Sequence, residues 1–122
     1  MKSLLLLEDD ITYRNTLSEI LGKTYIVYQA DTISEAVNIL SMENIDYICS
    51  DYHLPDGKGT QILEHLRNNN STIPTIIMSA NITNNIEWEV RKFGAVDVIE
   101  KTSWDFLDLL KTTPAMIRSY PG

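Results

Sequence analysis

The chain alternates five short apolar runs with five stretches in which apolar residues recur at helical spacing. Continuous apolar runs are typical of strands buried on both faces, and recurrence every three to four residues is typical of amphipathic helices. Strands separated by helical crossovers form parallel sheets with helices on both faces. The pattern therefore predicts a three-layer α/β sandwich. The expected strands cover residues 3–7, 24–28, 45–50, 74–79 and 96–99.

Five helices are expected between and after these strands. Gly22 and Gly94 are placed to end the first and the fourth helix, and the fifth begins near residues 102–103 and is interrupted by Pro114. The apolar stripes of the first four are Tyr13, Leu17 and Ile20 or Leu21; Ile33, Ala36, Val37 and Leu40; Ile62, Leu63 and Leu66; and Ile82, Ile86, Val90 and Phe93. For five parallel strands we predict the flavodoxin-like order 2-1-3-4-5.

Length and charge exclude several classes of protein. A chain of 122 residues fits one domain, which we expect to span residues 1–122. A net charge of -7 argues against nucleic-acid binding by this domain, because there is no basic excess to replace counterions. The apolar run that stops at Glu8 is too short for a signal peptide, and no run approaches the length of a membrane span. We expect a cytoplasmic protein that does not bind membranes.

Polar side chains follow four of the five predicted strands. Glu8, Asp9 and Asp10 follow the first, Asp51 the third, and Glu100 and Lys101 the fifth, while Ser79 ends the fourth. Because the carboxyl ends of parallel strands meet at one edge, where ligands bind in open α/β folds, these groups should converge in one crevice. Clustered carboxylates suit a hard divalent cation, and Mg²⁺ in particular shares phosphate oxygens. A lysine and a hydroxyl beside them suit phosphoryl transfer, with Asp51 as nucleophile.

Each of these residues also has an ordinary structural interpretation. Asp10 could be the N-cap of the first helix, and Asp51 could turn the chain before Pro55. Ser79 could be a small residue at a strand end, and Lys101 a solvated surface lysine. Their joint placement at the strand ends is what favours a site.

The motifs LLLLEDD, SDYHLPDGKG, IIMSA and GAVDVIEK together resemble the receiver domain of bacterial two-component response regulators, including chemotaxis-regulator-like, stand-alone members. The resemblance implies that Glu8, Asp9, Asp51 and the backbone carbonyl of His53 hold Mg²⁺. It also implies that Asp51 accepts the phosphoryl group.

In the same family, a hydroxyl residue, here Ser79, moves to the phosphoryl group and a lysine, here Lys101, pairs with it. The resemblance implies transfer from a histidine kinase or a histidine phosphotransfer protein, and an output partner or a second receiver. His53 and Asn81 occupy positions that tune the lifetime of the phosphoryl group. For His53, a half-exposed loop histidine without such a role is an equal alternative.

Two residues depart from the family pattern. Val98 stands where members usually carry an aromatic side chain whose rotation reports phosphorylation, and Thr102 stands where proline usually follows the lysine. The first departure puts the usual aromatic switch in doubt. Trp88 points away from the apolar stripe of its helix, so it is a candidate contact for a partner or a second copy, or a lone exposed aromatic.

We therefore expect a phosphoacceptor switch, which assists its own phosphorylation and dephosphorylation and is not otherwise an enzyme. Two alternatives stay open. A pseudo-receiver that only binds other proteins would fit Val98. A phosphatase that forms an aspartyl phosphate is less well supported, because such enzymes commonly have Asp-x-Asp, and here Tyr52 and His53 follow Asp51. The sequence does not distinguish a stand-alone receiver from a fragment of a longer protein.

Overall fold

The computed structural model describes residues 1–101, which form a five-stranded parallel sheet with helices on both faces. The sheet strands are β1 (Ser3–Leu7), β2 (Ile26–Ala30), β3 (Tyr47–Asp51), β6 (Thr75–Ser79) and β7 (Asp97–Glu100). Their order is β2-β1-β3-β6-β7, which equals 2-1-3-4-5 when a short hairpin after β3 is set aside. The predicted flavodoxin-like fold class is confirmed.

Four helices lie within the described residues: α1 (Ile11–Leu21), α2 (Ile33–Met42), α3 (Thr60–Asn68) and α4 (Asn84–Lys92). Asp10, Thr32 and Thr83 each cap the helix that follows, and each side-chain oxygen accepts a hydrogen bond from a first-turn backbone N–H. The interpretation of Asp10 as an N-cap is therefore correct. The expected fifth helix, with Pro114, lies outside the described residues.

Alternate residues of β1 pack against opposite layers. Leu4 and Leu6 share a buried cluster with Leu17 of α1. Leu5 and Leu7 belong to a second cluster, which Ala36 of α2 and Ile62 of α3 complete. This alternation explains why β1 is a continuous apolar run, since both of its faces are covered. A third cluster joins α3, α4 and β6 through Leu63, Val90 and Ile77.

Strand β2 differs from the prediction at both ends, because it begins at Ile26 rather than at residue 24 and ends at Ala30 rather than at residue 28. The backbone N–H groups of Thr24 and Tyr25 both donate to the Leu21 carbonyl, at 3.0 and 2.8 Å, so these residues complete the end of α1. Ile26 is the first residue of β2 to pair with β1, opposite Ser3. Local hydrogen bonding therefore overrides the strand propensity of Thr24 and Tyr25.

The hairpin after β3 was not predicted. It consists of β4 (His53–Leu54) and β5 (Gly57–Lys58), which pair antiparallel. The other predicted strands are correct to within two residues, and Ile82 precedes α4 instead of belonging to it. No helix within residues 1–101 is both long and apolar enough to cross a membrane.

Candidate functional site

The polar residues at the strand ends lie at one edge of the sheet. Glu8 directly follows β1, Asp51 ends β3, Ser79 ends β6, and Lys101 directly follows β7. The backbone N–H of Lys101 donates to the Ser79 carbonyl at 2.8 Å, which holds the end of β7 against the end of β6. The sheet register therefore places the backbones of these residues before any side-chain contact is considered.

Lys101 bridges two of the carboxylates. Its Nζ atom lies 2.8 Å from Glu8 Oε1 and 3.2 Å from Asp51 Oδ2. The Glu8 side chain is fully buried, and the side chains of Asp51 and Lys101 are 9% and 16% exposed. An ion pair with so little water around it is screened weakly, so the three charges act strongly on one another.

Burial and charge shift the pKa values of this group. Burial raises the pKa of Glu8 to about 7, the Asp51 charge acts in the same direction, and the hydrogen bond from Lys101 opposes both. Burial alone would lower the pKa of Lys101, but its contacts with Glu8 and Asp51 outweigh that effect and raise it. Lys101 is therefore charged at neutral pH, and its ammonium offsets part of the effect of burial on the pKa of Glu8.

Three carboxylates form a group with the dimensions of a metal site. One oxygen from each of Glu8, Asp9 and Asp51 lies within 4.8 Å of the other two. The Oε1 atom of Glu8 accepts from Lys101, whereas its Oε2 atom is buried and accepts no hydrogen bond within residues 1–101. Hard divalent cations such as Mg²⁺ take carboxylate oxygens, and a cation here would satisfy that atom. The donor set therefore fits a divalent cation.

The loop after Asp51 is held close to the sheet. The N–H of Gly59 donates to the Tyr52 carbonyl at 2.8 Å, which closes the hairpin. A Cβ atom at residue 59 would lie 2.3 Å from the Asp51 carbonyl oxygen, so only glycine fits there. His53 is exposed, and its ring meets the Tyr52 ring edge-on with 4.8 Å between centroids. The metal contact of the His53 carbonyl stays a prediction.

Ser79 is buried at the end of β6, and its hydroxyl is engaged locally. Ser79 Oγ donates to the Asn81 carbonyl at 3.0 Å and lies 3.4 Å from the Asn81 N–H. Rotation of the Ser79 side chain would release the hydroxyl from the carbonyl. Asn81 itself is exposed.

Sequence reasoning missed three residues that hold the site. Tyr13 donates a hydrogen bond to the Lys101 carbonyl at 3.4 Å, and Arg14 Nη1 donates to the Glu8 carbonyl at 2.9 Å. Glu89 of α4 accepts a hydrogen bond from the Tyr52 hydroxyl. Tyr13 was predicted only as part of the apolar stripe of the first helix. Hydrophobic periodicity gives no signal for contacts between residues so far apart in the chain.

The two candidate interface residues differ in exposure. Trp88 on α4 is 66% exposed, and Lys92 Nζ lies 4.8 Å from the centre of its ring. Val98 in β7 is half-buried and packs against the third core cluster. Trp88 therefore lies on the surface, as its position on the helix predicts, and Val98 belongs mainly to the interior.

The comparisons with known proteins agree with this fold. A sequence model of the response regulator receiver domain matches residues 4–113. The cell cycle response regulator CtrA of Brucella ovis is 32% identical over 100 residues, which cover 80% of this chain and 42% of that protein. The chain spans less than half the length of the curated relatives it matches.

Two solved structures show the same architecture. The non-phosphorylated HemR receiver domain from Leptospira biflexa has a TM-score of 0.86 at 28% identity, covering 100% of this chain and 99% of that one. A response regulator from Burkholderia pseudomallei, with a phosphorylated aspartic acid, a calcium ion and citrate, has a TM-score of 0.78 at 21% identity. The two chains are covered to 98% and 72%. On the match over residues 4–113, the chain belongs to the response regulator receiver domain family of two-component systems.

Proposed function

We propose that this chain is a phosphoacceptor switch in which Asp51 receives a phosphoryl group from a phosphohistidine, with Mg²⁺ bound nearby. The donor is the phosphohistidine of a histidine kinase or a histidine phosphotransfer protein, and residues 1–122 act as one receiver domain. The observation that carries the proposal is the position of Lys101 Nζ, within 3.2 Å of both Glu8 and Asp51, beside a group of three carboxylates.

The transfer breaks one bond and forms another. An oxygen of Asp51 attacks phosphorus, the phosphorus–nitrogen bond breaks, and the imidazole leaves with that electron pair and takes up a proton. Lys101 donates a hydrogen bond to Asp51 Oδ2, which supports a role in orienting the carboxylate, and its ammonium would pair with a phosphoryl oxygen. Glu8, Asp9, Asp51 and the His53 carbonyl would hold Mg²⁺, which supplies charge neutralisation when bound.

The residues around Asp51 have separate roles in this proposal. The Ser79 hydroxyl leaves the Asn81 carbonyl and donates to the phosphoryl group. His53 and Asn81, both exposed beside the site, govern the access of water and so the lifetime of the phosphoryl group. In the Burkholderia pseudomallei protein, the same fold carries a phosphorylated aspartic acid and a calcium ion.

The output of the switch is a change in the surface offered to a partner. Trp88 is an exposed aromatic on α4, and exposed aromatic residues often anchor interfaces. We assign it a contact with an output partner or a second receiver. Val98 lies on the adjacent β7 and packs on the cluster that includes Ile86 and Val90 of α4, so it connects the sheet to that helix.

Intact-mass spectrometry after incubation with a small acyl-phosphate donor tests the proposal. The wild-type chain should gain one phosphoryl group with Mg²⁺ and none with a chelator. Asp51→Asn should gain none, and the matched control Asp97→Asn, at the opposite end of β7, should gain as much as wild type. Absence of any gain by the folded wild-type chain would contradict the switch and favour a binding module, for which Val98 is the supporting departure.

A further inference from the structure

Tyr13 contacts Lys101 at two places. Its hydroxyl donates to the Lys101 carbonyl at 3.4 Å, and the Lys101 ammonium lies 4.7 Å from the centre of its ring. The distance is within the range of a cation–π interaction. One half-buried side chain on α1 therefore touches both the backbone and the charged end of a residue 88 positions away.

The ammonium contacts the Tyr13 ring and also donates hydrogen bonds to two carboxylates. Glu8 Oε1 and Asp51 Oδ2 accept at 2.8 and 3.2 Å. A lysine side chain has four rotatable carbon bonds, so two acceptors alone leave it several conformations. The Tyr13 ring is a third contact of the ammonium, from α1.

The first turn of α1 also contacts Glu8, one of the two carboxylates that pair with Lys101. Asp10 caps the helix by accepting from the Tyr13 N–H at 2.9 Å, which sets the start of the turn. Arg14, the next residue, donates to the Glu8 carbonyl at 2.9 Å. Adjacent residues of one helical turn thus hold the backbones of Glu8 and Lys101, the two partners of the ion pair.

We infer that Tyr13 is a positioning residue for Lys101. It acts through the ammonium and the carbonyl of Lys101. The consequence for phosphoryl uptake rests on the proposed function, whereas the positioning itself does not. The sequence has Thr102 after this lysine, and threonine does not restrict the backbone as a proline ring would. The hydrogen bond from Tyr13 supplies a restraint on the peptide that Lys101 begins.

Two variants separate the contacts. Tyr13→Phe keeps the ring and removes the hydroxyl, and Tyr13→Leu removes both. In the NMR spectrum of the metal-free protein, the ε-methylene protons of Lys101 should be shifted upfield by the ring in wild type and Tyr13→Phe. They should return to ordinary lysine values in Tyr13→Leu. The Lys101 carbonyl carbon should shift in both variants, because both lose the hydroxyl.

Phosphoryl uptake gives the functional measurement. With excess Mg²⁺, Tyr13→Leu should lower the maximal rate of uptake from an acyl-phosphate donor about tenfold, with little change in the half-saturating donor concentration. Tyr13→Phe should stay within about threefold of wild type, since the ring still holds the ammonium. Tyr28→Leu, which removes another half-buried tyrosine, from β2, is the matched control and should behave as wild type.

The outcomes separate this inference from the proposed function. An unchanged ε-methylene shift in Tyr13→Leu, or an unchanged rate of phosphoryl uptake in that variant, would overturn the positioning role. If no protein, wild type included, takes up phosphate, the proposed function fails and the ε-methylene shift alone decides the inference. If Tyr13→Leu does not fold, the carbonyl shift and the retained ε-methylene shift of Tyr13→Phe decide it.

Discussion

The hydroxyl of Tyr52, the residue after Asp51, donates a hydrogen bond to the carboxylate of Glu89 on α4. Tyr52 is buried, and its burial, together with this hydrogen bond, raises the pKa of its hydroxyl. Thr60 Oγ1 and Lys58 Nζ lie 3.4 and 3.8 Å from the other oxygen of Glu89. The residue directly after the candidate phosphoacceptor is therefore hydrogen-bonded to α4, at the residue next to the exposed Trp88.

Removal of the Tyr52 hydroxyl should destabilise the fold. Tyr52→Phe removes one donor from the half-buried Glu89 carboxylate, and hydrogen bonds to charged groups contribute about 1.5–3 kcal/mol. We expect the free energy of unfolding to fall by an amount near the lower end of this range, because Lys58 and Thr60 remain close to Glu89. Urea unfolding of the wild type, Tyr52→Phe, Glu89→Gln and the double variant forms a complete double-mutant cycle. Strictly additive losses would show that the two side chains do not interact.

Asp9 should destabilise the metal-free protein and stabilise the metal-bound one. Its exposed carboxylate lies beside Glu8 and Asp51, so Asp9→Asn relieves repulsion worth up to about 1 kcal/mol without a cation. With Mg²⁺ the order should reverse, because the variant lacks a ligand. Thermal melts with and without Mg²⁺ test this, with Glu64→Gln on α3 as a control for net charge. An equal response of Asp9→Asn and wild type to Mg²⁺ would exclude Asp9 as a ligand.

Asp56 should contribute stability that depends on pH. Its carboxylate accepts from the backbone N–H groups of Ile33 and Ser34 at 2.9 and 3.1 Å, and these bonds, chiefly the first, lower its pKa. A lowered pKa in the folded state means stability that is complete above the unfolded pKa of about 3.9 and lost as the pH falls through the folded pKa. Asp56→Ala should therefore cost about 1 kcal/mol at neutral pH and progressively less below about pH 4.

Urea unfolding of Asp56→Ala between pH 7 and pH 3 measures this difference. Glu19→Ala, which removes an exposed carboxylate from α1, corrects for the change in net charge. A difference between wild type and Asp56→Ala that stays constant down to pH 3 would show that the charge of Asp56 has no part in capping α2.

Trp88 should matter for association and not for stability. Because it is 66% exposed, Trp88→Ala should change the free energy of unfolding by no more than about 0.5 kcal/mol. If α4 is the surface that meets a second copy, sedimentation of the phosphorylated protein should show self-association in wild type and not in Trp88→Ala. Met42→Ala, also 66% exposed but on α2, is the matched control. Identical sedimentation of Trp88→Ala and wild type would remove the interface role.

The order of strands and helices was predictable because strands covered on both faces leave continuous apolar runs, as in β1, β3 and β6. The β4–β5 hairpin was not, since two-residue strands are too short to show any period. The start of β2 was misplaced because Thr24 and Tyr25 have strand propensity yet bond to the end of α1.

Because the carboxyl ends of parallel strands meet at one edge of the sheet, the sequence predicts that Glu8, Asp51, Ser79 and Lys101 lie there. The structure adds the contacts that hold their side chains. The contact of Tyr13 with Lys101 and that of Tyr52 with Glu89 join residues far apart in the chain. Such pairs depend on how α1 and α4 pack on the sheet, which periodicity alone does not determine. The spacing of the motifs likewise could not show that Lys101 bridges both carboxylates.

The identity of the phosphorylated residue is the central claim, and chemical trapping tests it most directly. An acyl phosphate is reduced by borohydride to an alcohol, so phosphorylation of Asp51 followed by reduction leaves homoserine at that position. Peptide sequencing by mass spectrometry should find homoserine at residue 51 only when the donor and Mg²⁺ were both present. Homoserine at Asp9 or Asp10, or at no position in a protein that has gained a phosphoryl group, would contradict the account.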